Sequence, residues 1–253
     1  MGLEKIDLND YPKVEVLGVN CTGLGHLPWK QIKERGIKVI SLGINGSRSR
    51  EDEAFMDTIT STAEHTIGLI LALSRNYKTA LNEPYKDREE YKGHTLAGKE
   101  LGIIGYGRVG RQVAMRVRSF GMILCRTDTS DNLDNSFELK DLLEQGDIIT
   151  LHIPLVGNEG FFTKEMFKLM KPTSYLINTS RDKIIEKGAL VWALENKLIA
   201  GAAVDFIDDP ELVHYARDHN NLILTPHLGG ATIEDMAKTE EYIAEKIKQY
   251  IKQ

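Results

Sequence analysis

From residue 101 onward, short apolar runs rich in β-branched residues alternate with amphipathic stretches. The runs predicted as strands are LGII, MILCR, DIITLHI, SYLINTS, AGAAVDF and NLILTPH. Helical patterns such as RVGRQVAMRVRSF and KGALVWALENK separate them. Strict alternation of this kind implies parallel strands joined by right-handed crossovers. Six strands make a complete doubly wound α/β sheet with two mononucleotide halves.

The first of these strands leads directly into a glycine-rich turn and then a helix. The turn reads Gly105-x-Gly107-x-x-Gly110. Its glycines permit a tight bend and close approach of the backbone to a ligand, and the helix beginning near Arg108 and Val109 presents free N–H groups. The spacing alone is a weak signal, but the strand before it and the helix behind it make it a strong one. This stretch predicts a Rossmann domain that binds the pyrophosphate of a dinucleotide.

An acidic residue, Asp128, follows the second strand at the distance that a ribose-binding acid requires. Its carboxylate would accept hydrogen bonds from the adenine ribose and repel a 2′-phosphate, which favours NAD over NADP. Arg126 is the one neighbouring residue that would soften this preference. We therefore expect NAD as the cofactor.

Three further polar sites follow the last strands, where parallel sheets of this type bind ligands. Arg181 ends the segment Asn178–Arg181, Asp205 closes the next strand, and His227 follows the last one. An arginine clamps a carboxylate through two hydrogen bonds and polarises a keto oxygen. A histidine supplies or removes a proton, and a nearby carboxylate would raise its pKa. Together they suit hydride transfer to the carbonyl of a 2-oxo acid.

The first hundred residues contain a second, smaller pattern. VEVLGVNC and IKVISLG are predicted as parallel strands separated by a helix over LPWKQIKERG. A polar loop is expected from Gly43 to about Thr58, followed by a helix that starts at Thr60–Glu64 and continues through HTIGLILALSRNY. The last predicted helix is the amphipathic segment 233–253.

Composition narrows the possible partners. The net charge of −5 argues against nucleic acid. Cys21 and Cys125 lie in apolar, strand-like runs without metal-ligand spacing, so we expect buried, reduced thiols, a cytoplasmic protein and no metal site. No apolar run reaches the ~18 residues of a membrane span.

In these residues the chain resembles the D-isomer-specific 2-hydroxyacid dehydrogenases. The similar stretches are TSTAEHTIGLILALSRN, LAGKELGIIGYGRVGRQVA, FGMILCRTD, DIITLHIPL, SYLINTSR, LIAGAAVD and NLILTPHLGGAT. The resemblance implies that Arg181 binds the substrate and that His227 is the general acid/base. The family's glutamate before a proline corresponds to Asp209, with Asp208 as the open alternative.

The same resemblance implies the remaining contacts. The nicotinamide side would be formed by Asp205 and the backbone of Thr179 and Ser180, with Gly229 among the cofactor contacts. The adenosine side would be lined by His152 and Pro154. The substrate carboxylate would be bound by the backbone N–H groups of Gly23 and Leu24.

The family places a flavodoxin-like substrate domain before the nucleotide domain. We expect residues 1–58 to form a truncated version of it, completed by the C-terminal helix 232–253, with the NAD-binding domain over 59–231. The leading function is NAD-dependent interconversion of a 2-oxo acid and a D-2-hydroxy acid. The alternative is a catalytically degenerate NAD(H)-binding relative that acts as a sensor or interaction module. The family also implies a homodimer formed through the region Arg75–Leu101.

Overall fold

The computed structural model describes residues 7–42, 49–127 and 137–252. The strands are β1 Val16–Val19, β2 Lys38–Ser41, β3 Glu100–Ile104, β4 Ile123–Thr127, β5 Ile148–Leu151, β6 Tyr175–Asn178, β7 Gly201–Val204 and β8 Leu222–Leu224. The α-helices are α1 Trp29–Arg35, α2 Arg50–Asp57, α3 Ser61–Ser74, α4 Tyr77–Asn82, α5 Arg108–Val117, α6 Leu139–Gln145, α7 Lys164–Leu169, α8 Ala189–Glu195, α9 Pro210–Asp218 and α10 Ile233–Ile251. The chain divides into two compact units, one of Met1–Ile59 with Gly230–Gln253 and the other of Thr60–Gly229.

The larger unit, Thr60–Gly229, contains a six-stranded parallel sheet in the order β4-β3-β5-β6-β7-β8. Four of the six strands fall within the apolar runs predicted from the sequence, and β3 and β4 each extend one residue beyond theirs. The doubly wound Rossmann fold is therefore confirmed. The chain passes from β3 outward to β4 and then crosses to β5 on the other side of β3. The strand order therefore reverses between β3 and β5, where such sheets bind ligands beyond the strand ends.

Two apolar layers cover the faces of this sheet, because successive side chains of a strand point to opposite faces. One face packs α3 and α5 against a cluster that includes Leu101 and Ile103 of β3. The other packs α6 to α9 against a cluster that includes Ile104 and Leu151. Burial on both faces explains the continuously apolar strand sequences.

The smaller unit contains the parallel pair β1 and β2, in register from Val16 opposite Lys38 to Val19 opposite Ser41. Helix α10 packs on this pair through Ile243 and Ile247, whose side chains occupy the space beside Gly18 of β1. A Cβ atom at Gly18 would lie 2.7 Å from Ile247, so a side chain here would require the isoleucines of α10 to move.

The loop predicted from Gly43 to about Thr58 is wrong over its second half, which forms α2 from Arg50. Ser49 and Asp52 form a capping box in which each side chain accepts a hydrogen bond from the other residue's backbone N–H. On its packed side, Phe55 stacks on Tyr242 of α10 at a ring separation of 3.8 Å. The many charged residues of the segment are exposed around this short contact. Residues 43–48 lie outside the described residues.

Two smaller expectations also differ from the structure. Helix α3 starts at Ser61 as predicted, but the Thr60 hydroxyl donates to Glu64 and caps no backbone N–H. Cys125 is buried in β4, whereas Cys21 lies half-buried in the turn after β1, with its Sγ 3.2 Å from the Gly23 carbonyl. Neither cysteine forms a disulfide within the described residues. Within the described residues, no helix is long and apolar enough to cross a membrane.

Candidate active site

The glycine-rich turn joins β3 to α5, and each glycine has a different neighbourhood. Gly105 has a backbone φ of +93°, which residues with a side chain rarely adopt. A Cβ at Gly110 would lie 2.2 Å from the Gly105 carbonyl oxygen, so the third glycine lets α5 pack on the turn. A Cβ at Gly107 would meet nothing within 4 Å. Gly107 thus leaves exposed backbone beside open space at the N-terminus of α5, where Arg108 and Val109 begin the helix. This arrangement fits a pyrophosphate.

His152 follows β5 on the other side of the point where the strand order reverses. Its backbone carbonyl lies 2.7 Å from where a Cβ of Gly105 would stand, so the two strand ends approach closely. The imidazole Nε2 lies 3.0 Å from the Thr150 hydroxyl. Burial lowers the pKa of His152 to about 3, so the ring is neutral at physiological pH. Pro154, two residues on, is exposed. A neutral ring and an exposed proline suit the lining of an uncharged adenosine.

Asp128, the predicted ribose-binding acid, lies outside the described residues. The described part of β4 ends at Thr127, one residue earlier. Arg126 places its guanidinium 4.3 Å from the centre of the Tyr106 ring in the glycine-rich turn. Arg126 is therefore the residue near the predicted ribose position whose positive charge would weaken the preference for NAD over NADP.

The end of β6 is organised by the amide of Asn178, which is fully buried. Its Nδ2 donates to the Arg181 carbonyl and its Oδ1 accepts from the Ser180 N–H, each at 2.9 Å. The Ser180 hydroxyl donates to the Leu151 carbonyl at 2.7 Å. These contacts fix the backbone of residues 178–181. The Arg181 side chain is half-buried and its Nη1 donates to the Ser180 carbonyl, 2.7 Å away.

The end of β7 carries Asp205, which is 2% exposed. Its Oδ1 accepts from the Thr225 hydroxyl at 2.6 Å and from the Leu228 N–H at 2.7 Å, while its Oδ2 accepts from the Gly229 N–H at 2.7 Å. Nε2 of His65 lies 3.4 Å from Oδ1. Burial raises the pKa of Asp205, but the hydrogen bonds from these four groups outweigh it and hold the pKa at about 2. The carboxylate is ionised and fixes the loop after β8.

That loop carries His227, whose side chain is exposed. Its backbone φ is +58°, in the left-handed region, which costs a residue with a side chain roughly 1–2 kcal/mol. Among the described residues, none hydrogen-bonds the imidazole.

Asp209 accepts from the Glu211 N–H at 2.9 Å and so caps the N-terminus of α9. Asp208 is exposed. The roles of Asp209 and Asp208 beside the histidine stay predictions.

Gly23 and Leu24 lie in the smaller unit, in the turn between β1 and α1. Their carbonyls accept from the Cys21 thiol and from the Trp29 indole N–H, respectively. In the part of the chain that the structure describes, their two backbone N–H groups make no hydrogen bond. Free N–H groups of this kind are suited to an anion, and their role as carboxylate donors stays a prediction.

Two residues that the sequence analysis did not assign, His65 and Thr66, contribute to the site from α3. The Thr66 hydroxyl donates to the Thr62 carbonyl at 2.8 Å, so at 2.9 Å it accepts from the hydroxyl of Thr179. His65 reaches Thr225, with 3.1 Å between Nε2 and Oγ1. The available signal was the position of two polar residues at the start of the otherwise apolar run HTIGLILALS.

These features define a Rossmann-type dinucleotide-binding domain with polar groups at the carboxyl ends of β6, β7 and β8. Across the described ranges, no group of three His, Cys, Asp or Glu side chains is placed to hold a metal ion. The family model for the D-isomer specific 2-hydroxyacid dehydrogenase, NAD binding domain, matches residues 67–229. The chain belongs to this family, and its larger unit is an NAD-binding domain.

Individual relatives agree with this assignment. The chain is 35% identical over 257 residues to the D-3-phosphoglycerate dehydrogenase of Bacillus subtilis (strain 168), covering 96% of this chain and 46% of that protein. The human D-3-phosphoglycerate dehydrogenase is 33% identical, with 97% and 46% covered. The chain therefore spans about half the length of these relatives. The D-lactate dehydrogenase of Aquifex aeolicus, solved with NAD and lactic acid, is 26% identical with a TM-score of 0.75, covering 97% of this chain and 78% of that one.

Proposed function

We propose that the protein is an NAD-dependent oxidoreductase that interconverts a 2-oxo acid and a D-2-hydroxy acid. The observation that carries this proposal is the placement of three groups at one sheet edge. Arg181, Asp205 and His227 follow the neighbouring strands β6, β7 and β8. They lie in the same domain as the glycine-rich turn that fits the cofactor. The family and the names of the relatives support the same reaction class.

Each residue has a defined task in this proposal. The Arg181 guanidinium binds the substrate carboxylate and polarises the keto oxygen. The cofactor, when bound, supplies hydride to the carbonyl carbon. His227 gives a proton to the oxygen as negative charge develops on it, and takes one back in the reverse direction. Asp205, already ionised, holds the loop that presents His227.

The reaction is tested by NADH oxidation against a panel of 2-oxo acids. The first acids to test are the 2-oxo acids that correspond to D-lactate and D-3-phosphoglycerate, because the relatives are named after these two compounds. Arg181→Ala should lower kcat/KM by several orders of magnitude and leave NADH affinity nearly unchanged. His227→Ala should act on kcat by roughly 10²–10⁴-fold. If the wild type binds NADH yet reduces none of the acids, the protein is an NAD-binding module and not a dehydrogenase.

We also propose a two-fold homodimer formed through the region Arg75–Leu101. Support comes from apolar side chains that this region leaves in contact with solvent, Leu81 at 80% and Tyr85 at 98% exposure. Large apolar side chains exposed to this extent are consistent with an interaction surface. Two cysteines that form no disulfide within the described residues fit a reducing, cytoplasmic compartment.

A further inference from the structure

The hydrogen bond between His65 and Thr225 has a defined direction. A hydroxyl has one proton, and Thr225 donates it to Asp205 over the short distance of 2.6 Å. The Thr225 oxygen is then an acceptor towards Nε2 of His65, 3.1 Å away. The Nε2 atom must therefore carry a proton, which it directs at Thr225 Oγ1 and Asp205 Oδ1 together. The three side chains form one relay that runs from α3 to the end of β7.

The far end of this relay holds the loop that carries His227. The residues directly after His227, Leu228 and Gly229, donate their N–H groups to the two oxygens of Asp205. Directly before the loop, Thr225 contacts the same carboxylate. His227 itself has a φ of +58°, which needs support from its surroundings. Asp205 thus fixes the loop on both sides of the strained residue.

We propose that His65 and Thr225 are positioning residues that act through Asp205 to orient His227 for proton transfer. The inference rests on the proposed function for its catalytic consequence only. Without His65 and the Thr225 hydroxyl, Asp205 loses two of its four donors while the two loop amides remain. The carboxylate can then rotate, and the imidazole of His227 moves with the loop. A misplacement of about 1 Å in a reacting group costs up to about 100-fold in rate.

The experiment pairs disruptive with conservative variants of the full chain. Thr225→Val removes the hydroxyl at nearly constant volume, whereas Thr225→Ser keeps it. His65→Leu removes the Nε2 donor, whereas His65→Gln keeps an N–H donor. Ile70→Val, in the buried part of α3, controls for a general loss of stability. Steady-state kinetics with the best 2-oxo acid, NADH titration and thermal unfolding are measured for all five.

Thr225→Val and His65→Leu should lower kcat by about 10- to 100-fold, a larger factor than the change in NADH affinity. Thr225→Ser and His65→Gln should recover most of the loss. Ile70→Val should lower the melting temperature without lowering kcat. If the disruptive variants behave like Ile70→Val, with a lower melting temperature and an unchanged kcat, the inference is overturned.

A second measurement is independent of catalysis. The imidazole proton resonances of His227, assigned with His227→Gln, report its environment in solution. They should shift or broaden in Thr225→Val and return in Thr225→Ser. Unchanged resonances in Thr225→Val overturn the relay even if no substrate is found. Shifted resonances in a protein that reduces nothing support the relay and refute only the proposed reaction.

Discussion

A Cβ atom added to Gly110 would lie 2.2 Å from the carbonyl oxygen of Gly105. The two glycines thus bring α5 against the turn that ends β3, and the helix N-terminus lies where the sheet reverses its strand order. At Gly107, between them, an added Cβ atom would contact neither the strand nor the helix. The motif therefore combines two residues required by packing with one that leaves room for a ligand.

This difference predicts opposite behaviour for two alanine substitutions. Gly110→Ala should destabilise the domain by roughly 1–3 kcal/mol, as overpacking does. Gly107→Ala meets nothing within 4 Å, so thermal unfolding should change little while NADH affinity falls. Melting temperature and NADH titration for both variants test this. A Gly107→Ala protein that binds NADH as tightly as wild type would place the pyrophosphate elsewhere.

The cofactor preference provides a second prediction, which depends on Asp128. The wild type should bind NADH more tightly than NADPH, because a carboxylate beside the ribose repels a 2′-phosphate. Asp128→Ala should narrow the difference, measured as the ratio of the two dissociation constants. Arg126→Ala serves as the comparison. It removes the guanidinium that lies over the Tyr106 ring, a positive group that would otherwise attract the 2′-phosphate of NADPH. Tighter binding of NADPH by the wild type would refute the assignment of Asp128.

The proposed dimer can be tested at two exposed side chains. Leu81→Glu and Tyr85→Ala should weaken self-association, because each removes apolar surface from the region Arg75–Leu101. Val156→Glu is the matched control, since Val156 is 90% exposed in a different region. Sedimentation or light scattering at micromolar concentration gives the mass. A monomeric wild type would contradict the proposal. An equal effect of Val156→Glu would show that the interface is not confined to the region Arg75–Leu101.

Asp209 offers a test in which a helix cap and a catalytic role are separated. Asparagine caps a helix as well as aspartate, so Asp209→Asn should keep the stability that Asp209→Ala loses, about 1 kcal/mol. Asp209→Asn should nonetheless move the pH profile of reductase activity, because it removes the negative charge that the proposal assigns to the acid beside His227. The pH profile is compared with that of Asp208→Asn. If only Asp208→Asn moves the profile, Asp208 is the assisting acid.

The sequence predicts the sheet well because its strands are buried on both faces. Continuously apolar, β-branched runs such as DIITLHI are typical of strands at the centre of a parallel sheet. Helices α2 and α9 were harder to predict because they are short and mostly polar. Their signals are local ones, the Ser49–Asp52 capping box and Asp209 before Pro210 at the start of α9.

The hydrogen bonds of the site were not predictable in the same way. His65 and Thr225 are 160 positions apart, and no periodicity relates them. The sequence places Asp205 at a strand end, where a ligand contact is the natural expectation. Only the folded loop reveals that the chain itself provides donors to both oxygens of this carboxylate. Local patterns therefore identify the polar residues of a site, whereas their mutual contacts depend on the tertiary fold.

The low pKa of Asp205 leads to a prediction about acid stability. Its folded-state pKa of about 2 lies below the ordinary value of 3.8, so the ionised carboxylate stabilises the fold at neutral pH. A shift of this size corresponds to about 2 kcal/mol. This contribution is complete above pH ~4 and is lost as the pH falls towards ~2, because the unfolded chain takes up the proton first.

Urea unfolding of the wild type and Asp205→Asn between pH 2 and 7 measures this contribution. The free energies of unfolding should differ most at neutral pH and converge towards pH 2, whereas Asp208→Asn, which alters an exposed carboxylate, should show a smaller change. A difference between wild type and Asp205→Asn that is constant with pH would show that the loop amides do not depend on the charge of Asp205.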